Sequence, residues 1–99
     1  VMGGQYQAAG HAAFLSGMFD RGLNVQEAID APRSFSFGGV LDVEPTVSDT
    51  AIAALEKIGH KVNRLTSPMG GAQAIFIDHA RGLLVGGSDQ RKDGSALGF

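Results

Sequence analysis

The chain has 99 residues, 43% of them apolar and 18% charged, with a net charge of −2. That balance excludes a disordered polyelectrolyte and gives no basic surface for nucleic acid. No apolar run approaches the ~20 residues that a helix needs to cross a bilayer, so no membrane partner is expected. A chain this long holds one modest core and buries roughly 60–65% of the surface its unfolded form exposes, so residues 1–99 are read as a single segment. The absence of cysteine removes disulfides and thiolate metal sites, and leaves the compartment unread. Val1-Met2-Gly3-Gly4 shows neither an initiator methionine nor a signal-peptide pattern, so the segment is read as truncated at its N-terminus.

Residues 5–21 carry two apolar sets at helical spacing, Ala8, Ala12, Leu15 and Phe19, and Tyr6, Ala9, Ala13 and Met18. Together they predict a largely buried helix. Gly10 and Gly17 lower its propensity by about 1 kcal/mol each, so tertiary packing has to hold it, and Gly22 stops it. Asn24 and Glu27 stand in capping-box spacing, which starts a short helix that Pro32 ends. Ser34 to Phe37 alternates with period two, Gly38-Gly39 turns the chain, and residues 40–43 form the partner strand. Ser48 caps a helix over residues 49–58, with Ala51, Ile52, Ala54, Leu55 and Ile58 facing inward and Gly59 ending it. A strand at 61–65, a loop at 66–71, a buried strand at 73–77 and its partner at 83–87 complete the chain, with residues 78–82 as a hairpin connection. The fold class is therefore α/β layered (α+β), with mainly antiparallel sheet.

Chemistry is sparse. No Lys-Ser or Lys-Thr follows Gly3-Gly4 at phosphate-loop spacing, and no G-x-G-x-x-G occurs. His11, His60 and His79 are scattered, without metal-ligand spacing, so no metal and no cofactor are expected. No serine stands in a nucleophile elbow. Asp89 and Arg91, two apart after a strand, read on their own as a solvated or locally paired turn.

Four segments nonetheless fall in a telling order: Val1-Met2-Gly3-Gly4 before a long helix, Asp30-Ala31-Pro32-Arg33, Gly70-Gly71-Ala72-Gln73, and Gly86-Gly87-Ser88-Asp89-Gln90-Arg91. In this arrangement the chain resembles the C-terminal part of the small subunit of gamma-glutamyltransferases, members of the N-terminal-nucleophile hydrolases, over nearly its whole length. The resemblance implies a piece of an αββα sandwich. It also implies an autoprocessed enzyme whose N-terminal threonine, located outside this chain, attacks a gamma-glutamyl carbonyl with its own amine as base. The substrates implied are glutathione-like compounds, and the partner is the remainder of the same enzyme, its large subunit and the N-terminal part of the small one. The resemblance assigns Gly3 and Gly4 a catalytic part, backbone N–H donors to the oxyanion of the tetrahedral intermediate.

Two positions depart from the usual pattern. Met2 stands where proline is typical, and Gln90 interrupts the usual Ser-Asp-Pro-Arg. Together with Gln5-Tyr6-Gln7, the first of these resembles divergent, acylase-like members, so an amide or beta-lactam acylase is the alternative within the mechanism. A non-catalytic assembly or binding module is the alternative outside it. Asp89, Arg91 and Arg33 are expected to serve structure. Without the rest of its enzyme, the segment should leave its first helix and the strand Ala74-Ile75-Phe76-Ile77 partly uncovered and should self-associate.

Overall fold

The computed structural model describes residues 1–99, which divide into two compact units, Val1–Ala31 with Gly70–Phe99, and Pro32–Met69. The first unit contains a single 3-10 turn at Gly4–Tyr6, helices α1 (Gln7–Phe19) and α2 (Val25–Asp30), and two strands that the chain adds later. The second contains β1 (Ser34–Phe37), β2 (Val40–Val43), α3 (Asp49–Lys57) and β3 (Val62–Arg64). The late strands of the first unit are β4 (Gln73–Asp78) and β5 (Leu83–Ser88).

In the first unit α2 is the element around which the rest packs. Its capping box forms as the sequence predicts: the Asn24 side chain accepts from the Glu27 amide, and the Glu27 carboxylate accepts from the Asn24 amide, both at 2.9 Å. Ala31 is extended with ψ 139°, as a residue before proline should be, and the helix ends there. Val25, Ala28 and Ile29 are buried, and Val25 and Ile29 form the core with Ala72, flanked by Val1, Phe14, Met18, Ala74 and Val85. The antiparallel pair β4–β5, in register from Gln73 opposite Ser88 to Asp78 opposite Leu83, lies against this helix. Contact is close because Gly87 has no side chain. A Cβ there would stand 2.8 Å from both Ile29 Cδ1 and Val25 Cγ1.

The first helix forms but is not the buried element its composition predicts. Ala8, Ala12, Leu15 and Phe19 all lie outward, with Phe19 69% exposed, and Gly17 is its one buried residue. The stripe that packs is Gly10, Phe14, Gly17 and Met18. Val1 sits over Gly10, and Ala28 Cβ comes within 3.4 Å of where a Gly17 Cβ would be. Neither of the two expected apolar sets packs as a whole; the stripe with glycines does, because glycine lets neighbours reach the backbone. The strand over residues 73–78 departs in the same sense. Ile75, Ile77 and Leu84 share one face of the hairpin and are 70%, 54% and 71% exposed, while Ala74, Val85 and Gly87 of the opposite face meet the core. Both elements therefore present apolar side chains outward, Leu15 and Phe19 on the helix and Ile75, Ile77 and Leu84 on the hairpin.

In the second unit Gly38 and Gly39, both at positive φ (60° and 81°), turn β1 back on β2 in antiparallel register from Ser34 opposite Val43 to Phe37 opposite Val40. That pair of φ values is the hairpin geometry glycine permits. Ser48 caps α3 by accepting from the Ala51 amide at 3.1 Å. The chain then returns as β3, parallel to β2, so this pairing departs from the mainly antiparallel pattern. Helix α3 covers less than its amphipathic pattern predicts. Ala51, Ile52 and Leu55 are half-buried, while Ala54 and Ile58 are exposed, Ile58 by 74%.

The tight seat of α2 on β5 gives the first test. Gly87→Ala should lower stability by about 1–3 kcal/mol, the usual cost of an extra methyl group in a filled contact, while Gly98→Ala, with nothing within 4 Å, should leave it unchanged. Urea denaturation of the two variants beside the parent checks this.

Candidate functional site

Gly3 and Gly4 lie at the start of the 3-10 turn that leads into α1, in backbone conformations that side chains disfavour. Gly3 has φ 147° and ψ 16°, and Gly4 has φ 56°. The two positions are not equivalent. A Cβ on Gly3 would meet Tyr6 Cβ at 3.1 Å, whereas one on Gly4 would meet nothing within 4 Å. The Gly3 carbonyl accepts from the Tyr6 amide at 3.0 Å, closing the 3-10 turn, and no hydrogen bond within the chain uses the Gly3 or Gly4 amide N–H. These are therefore two donors at the positive end of a 13-residue helix. Just before them, Met2 forms an isolated antiparallel bridge with Gly71. The Met2 amide donates to the Gly71 carbonyl at 2.7 Å, and the Gly71 amide returns to the Met2 carbonyl at 3.4 Å.

Behind that bridge lies a buried ionic cluster. The Asp89 side chain is fully buried and that of Arg91 is 8% exposed. Asp89 Oδ2 accepts the Ala72 amide at 2.8 Å, and Oδ1 accepts both the Arg91 amide at 2.9 Å and Arg91 Nη1 at 3.1 Å. The guanidinium also donates to the carbonyls of Ile29 at 2.9 Å and Ala31 at 3.1 Å, which closes the C-terminal end of α2. Local pairing of Asp89 with Arg91 is as the sequence suggests; solvation is not. Asp89 meets a main-chain donor 17 residues earlier and Arg91 meets acceptors about 60 residues earlier, contacts that no local pattern announces.

Arg33 serves structure within the second unit, donating through Nη1 to the Met69 carbonyl at 2.8 Å. The residue that organises this corner is Glu44, buried to 1%, which sequence reasoning did not single out. Its Oε2 accepts the Arg33 amide at 2.9 Å and its Oε1 the Met69 amide at 2.8 Å, so one carboxylate holds the first and last turns of the unit. Its only local signal is an acid between a strand and Pro45. Gln26 was also missed. Its side-chain amide pairs with both backbone groups of Ser88, donating to the carbonyl at 2.9 Å and accepting from the amide at 3.1 Å, and so extends the edge of β5 onto α2.

The three histidines are exposed, and the His11 ring nitrogen Nδ1 is 2.8 Å from the Gln7 carbonyl one turn back. No group of three or more His, Asp or Glu side chains is arranged to hold a metal ion. Asp78, at the hairpin connection, is held below the ordinary carboxylate range, first by the Arg81 side chain donating to it at 2.6 Å and then by the Arg81 amide.

Two ion pairs of opposite character can be compared. Arg91→Ala should destabilise by about 3–5 kcal/mol, because it strands a buried carboxylate, whereas Arg81→Ala should cost far less, the Arg81 side chain being 68% exposed. For Asp78 the depressed carboxyl contributes stability above its unfolded value and loses it as pH falls through the folded one. Arg81→Ala should return it to the ordinary range. Urea denaturation reads the first effect, and carboxyl NMR titration of Asp78 the second.

The whole chain resembles known proteins. The family model for gamma-glutamyltranspeptidase matches residues 1–99. Among curated relatives, the acylase ACY 1 proenzyme of a Pseudomonas species is 37% identical over 80 residues, 81% of this chain. The glutathione hydrolase-like YwrD proenzyme of Bacillus subtilis is 36% identical across 100% of it. The chain spans only 14% and 20% of those two relatives. Among solved structures, the cephalosporin acylase of Bacillus halodurans superposes with a TM-score of 0.91 at 39% identity, over 96% of this chain and 18% of that one. The gamma-glutamyltranspeptidase of Pseudomonas nitroreducens shares the fold, with a TM-score of 0.81 at 18% identity over 93% of this chain and 49% of that one. The α/β layered expectation therefore stands, and the chain belongs to the gamma-glutamyltranspeptidase family.

Proposed function

We propose that this chain is the C-terminal segment of the small subunit of an autoprocessed enzyme that transfers or hydrolyses gamma-glutamyl groups of glutathione-like compounds. In this reading the nucleophile is a threonine outside residues 1–99, attacking the acyl carbon with its own amine as base. Gly3 and Gly4 supply backbone N–H donors to the oxyanion, with no metal or organic cofactor. The observation that carries the reading is the pair of unengaged amides ahead of α1, held at positive φ. Donors already in place when charge develops need no reorganisation, which is what makes such groups effective; losing one costs about 2.7–4 kcal/mol in an enzyme where it has been measured.

A second reading shares this mechanism and changes the substrate. Met2 replaces the usual proline, and two of the proteins similar to this chain are named acylases, at 37% and 39% identity. An amide or beta-lactam acylase therefore competes with a gamma-glutamyl enzyme. Turnover of a gamma-glutamyl anilide against a beta-lactam side-chain amide by the full-length protein separates them.

The oxyanion role has a sharper test. Replacing the Gly3 or Gly4 amide by an ester deletes the N–H and keeps the backbone angles open to glycine. In the full-length protein each replacement should lower kcat on the order of 10²–10³-fold with KM little changed. Parental kcat in a folded, active-site-titrated ester variant would show that the glycines only turn the chain.

The remainder of the enzyme is the proposed partner, and the open face of Ile75, Ile77 and Leu84 is the surface it would cover. Isolated from it, the 99-residue chain should be inactive and should self-associate through that face. Light scattering across a dilution series checks this; a monomer at every concentration argues that the face needs no cover.

A further inference from the structure

The path from the buried cluster to the glycine pair runs almost entirely through main chain. Asp89 and Ala72 are tied twice, by the Ala72 amide donating to Oδ2 at 2.8 Å and by the Asp89 amide donating to the Ala72 carbonyl at 3.1 Å. Ala72 follows Gly71, Gly71 bridges Met2, and Met2 precedes Gly3. The bridge is uneven, 2.7 Å in one direction and 3.4 Å in the other, so the place of Met2 rests mainly on one short bond to the Gly71 carbonyl. A shift of Ala72 therefore reaches Met2 with little to absorb it.

The carboxylate that fixes Ala72 is itself immobilised. Arg91 holds Oδ1 through both its amide and Nη1, and the guanidinium is anchored in turn on the Ile29 and Ala31 carbonyls. The Asp89 side chain is fully buried and that of Arg91 mostly so, which limits dilution of these bonds by water.

We infer that Asp89 is a positioning residue for the reaction, acting through Ala72, Gly71 and Met2 to fix where the Gly3 and Gly4 amides point. This rests on the reading of those amides as oxyanion donors. A misplacement of about 1 Å at a reacting centre costs on the order of a hundredfold in rate, and oxyanion donors are aimed at the transition state rather than the bound substrate. Displacing them should therefore lower kcat and spare KM. A side chain that merely holds the fold together would lower stability and yield instead, leaving each correctly folded molecule fully active.

The test uses the full-length, processed enzyme, with active sites counted by covalent labelling. Asp89→Asn keeps the shape but removes the charge opposite Arg91 and turns one acceptor into a donor. It should lower kcat per active site roughly ten- to hundredfold, leave KM within about threefold, and weaken a tetrahedral boronate or phosphonate analogue in parallel with kcat/KM. Should that variant fail to accumulate, Asp89→Glu carries the test, since it keeps the charge and moves the acceptor by one methylene; the same split is expected. Parental kcat per active site in either folded variant overturns the inference, as does a loss that falls on KM or only on melting temperature. The ester variants at Gly3 and Gly4 keep the two claims apart. If the esters lower kcat and Asp89 variants do not, the positioning role alone is lost; if the esters leave kcat parental, the oxyanion reading falls and takes this one with it.

Discussion

The first unit depends on the bond between the Asp89 carboxylate and the Ala72 amide, together with the Arg91 fork that holds that carboxylate. Three stretches distant in sequence meet there: the exit of β5, the entrance of β4, and the C-terminal end of α2. Burying one such charge alone would be prohibitive, and burying the pair is tolerable because every oxygen and most of the fork find partners. The hydrophobic core of Val25, Ile29 and Ala72 is small. A few apolar side chains drive collapse but specify position loosely, whereas directional bonds to three backbone segments allow one arrangement.

Glycine supplies the complementary half of that specificity by subtraction. At Gly87 and Gly17 the missing Cβ is what lets α2 approach β5 on one side and α1 on the other. Both contacts bring backbone against apolar side chain, and dispersion is short-ranged enough that a gap of even half an ångström forfeits a good part of it. Helix α1 therefore accepts an unfavourable residue in its middle in return for a seat on α2. The same trade explains why its more obviously apolar stripe, with Leu15 and Phe19, is left outward.

What the sequence makes legible is what local physics decides. Asn24 and Glu27, Ser48 and its helix, Gly38-Gly39 and the alternation of Ser34 to Phe37 all act within a few residues, and each element lies where its signal stands. Pairing across long loops is different. Nothing near Val62 records that β3 lies parallel to β2, since a crossover through α3 and a hairpin return leave the same strand pattern. Glu44 is the sharpest case. Its two main-chain donors lie 11 and 25 residues away, so an acid that reads as surface turns out to be among the most buried groups. The oxyanion reading of the glycine pair comes from likeness to a family alone, because two glycines before a helix carry no chemistry by themselves.

The two buried carboxylates share a design. Asp89 and Glu44 each accept main-chain amides from segments far apart in sequence, and each works beside an arginine that donates to main-chain carbonyls, Arg91 to Ile29 and Ala31, Arg33 to Met69. An acid supplies acceptors where strand ends leave unpaired N–H groups, and an arginine supplies donors where helix and loop ends leave unpaired carbonyls. Such pairs finish the backbone's hydrogen bonding at places where regular structure stops. They also make those places stiff, and a stiff loop junction is what a backbone donor needs if it is to meet a developing charge without first moving. In the first unit that stiffness lies one residue from Gly71 and, across a single short bond, next to Gly3.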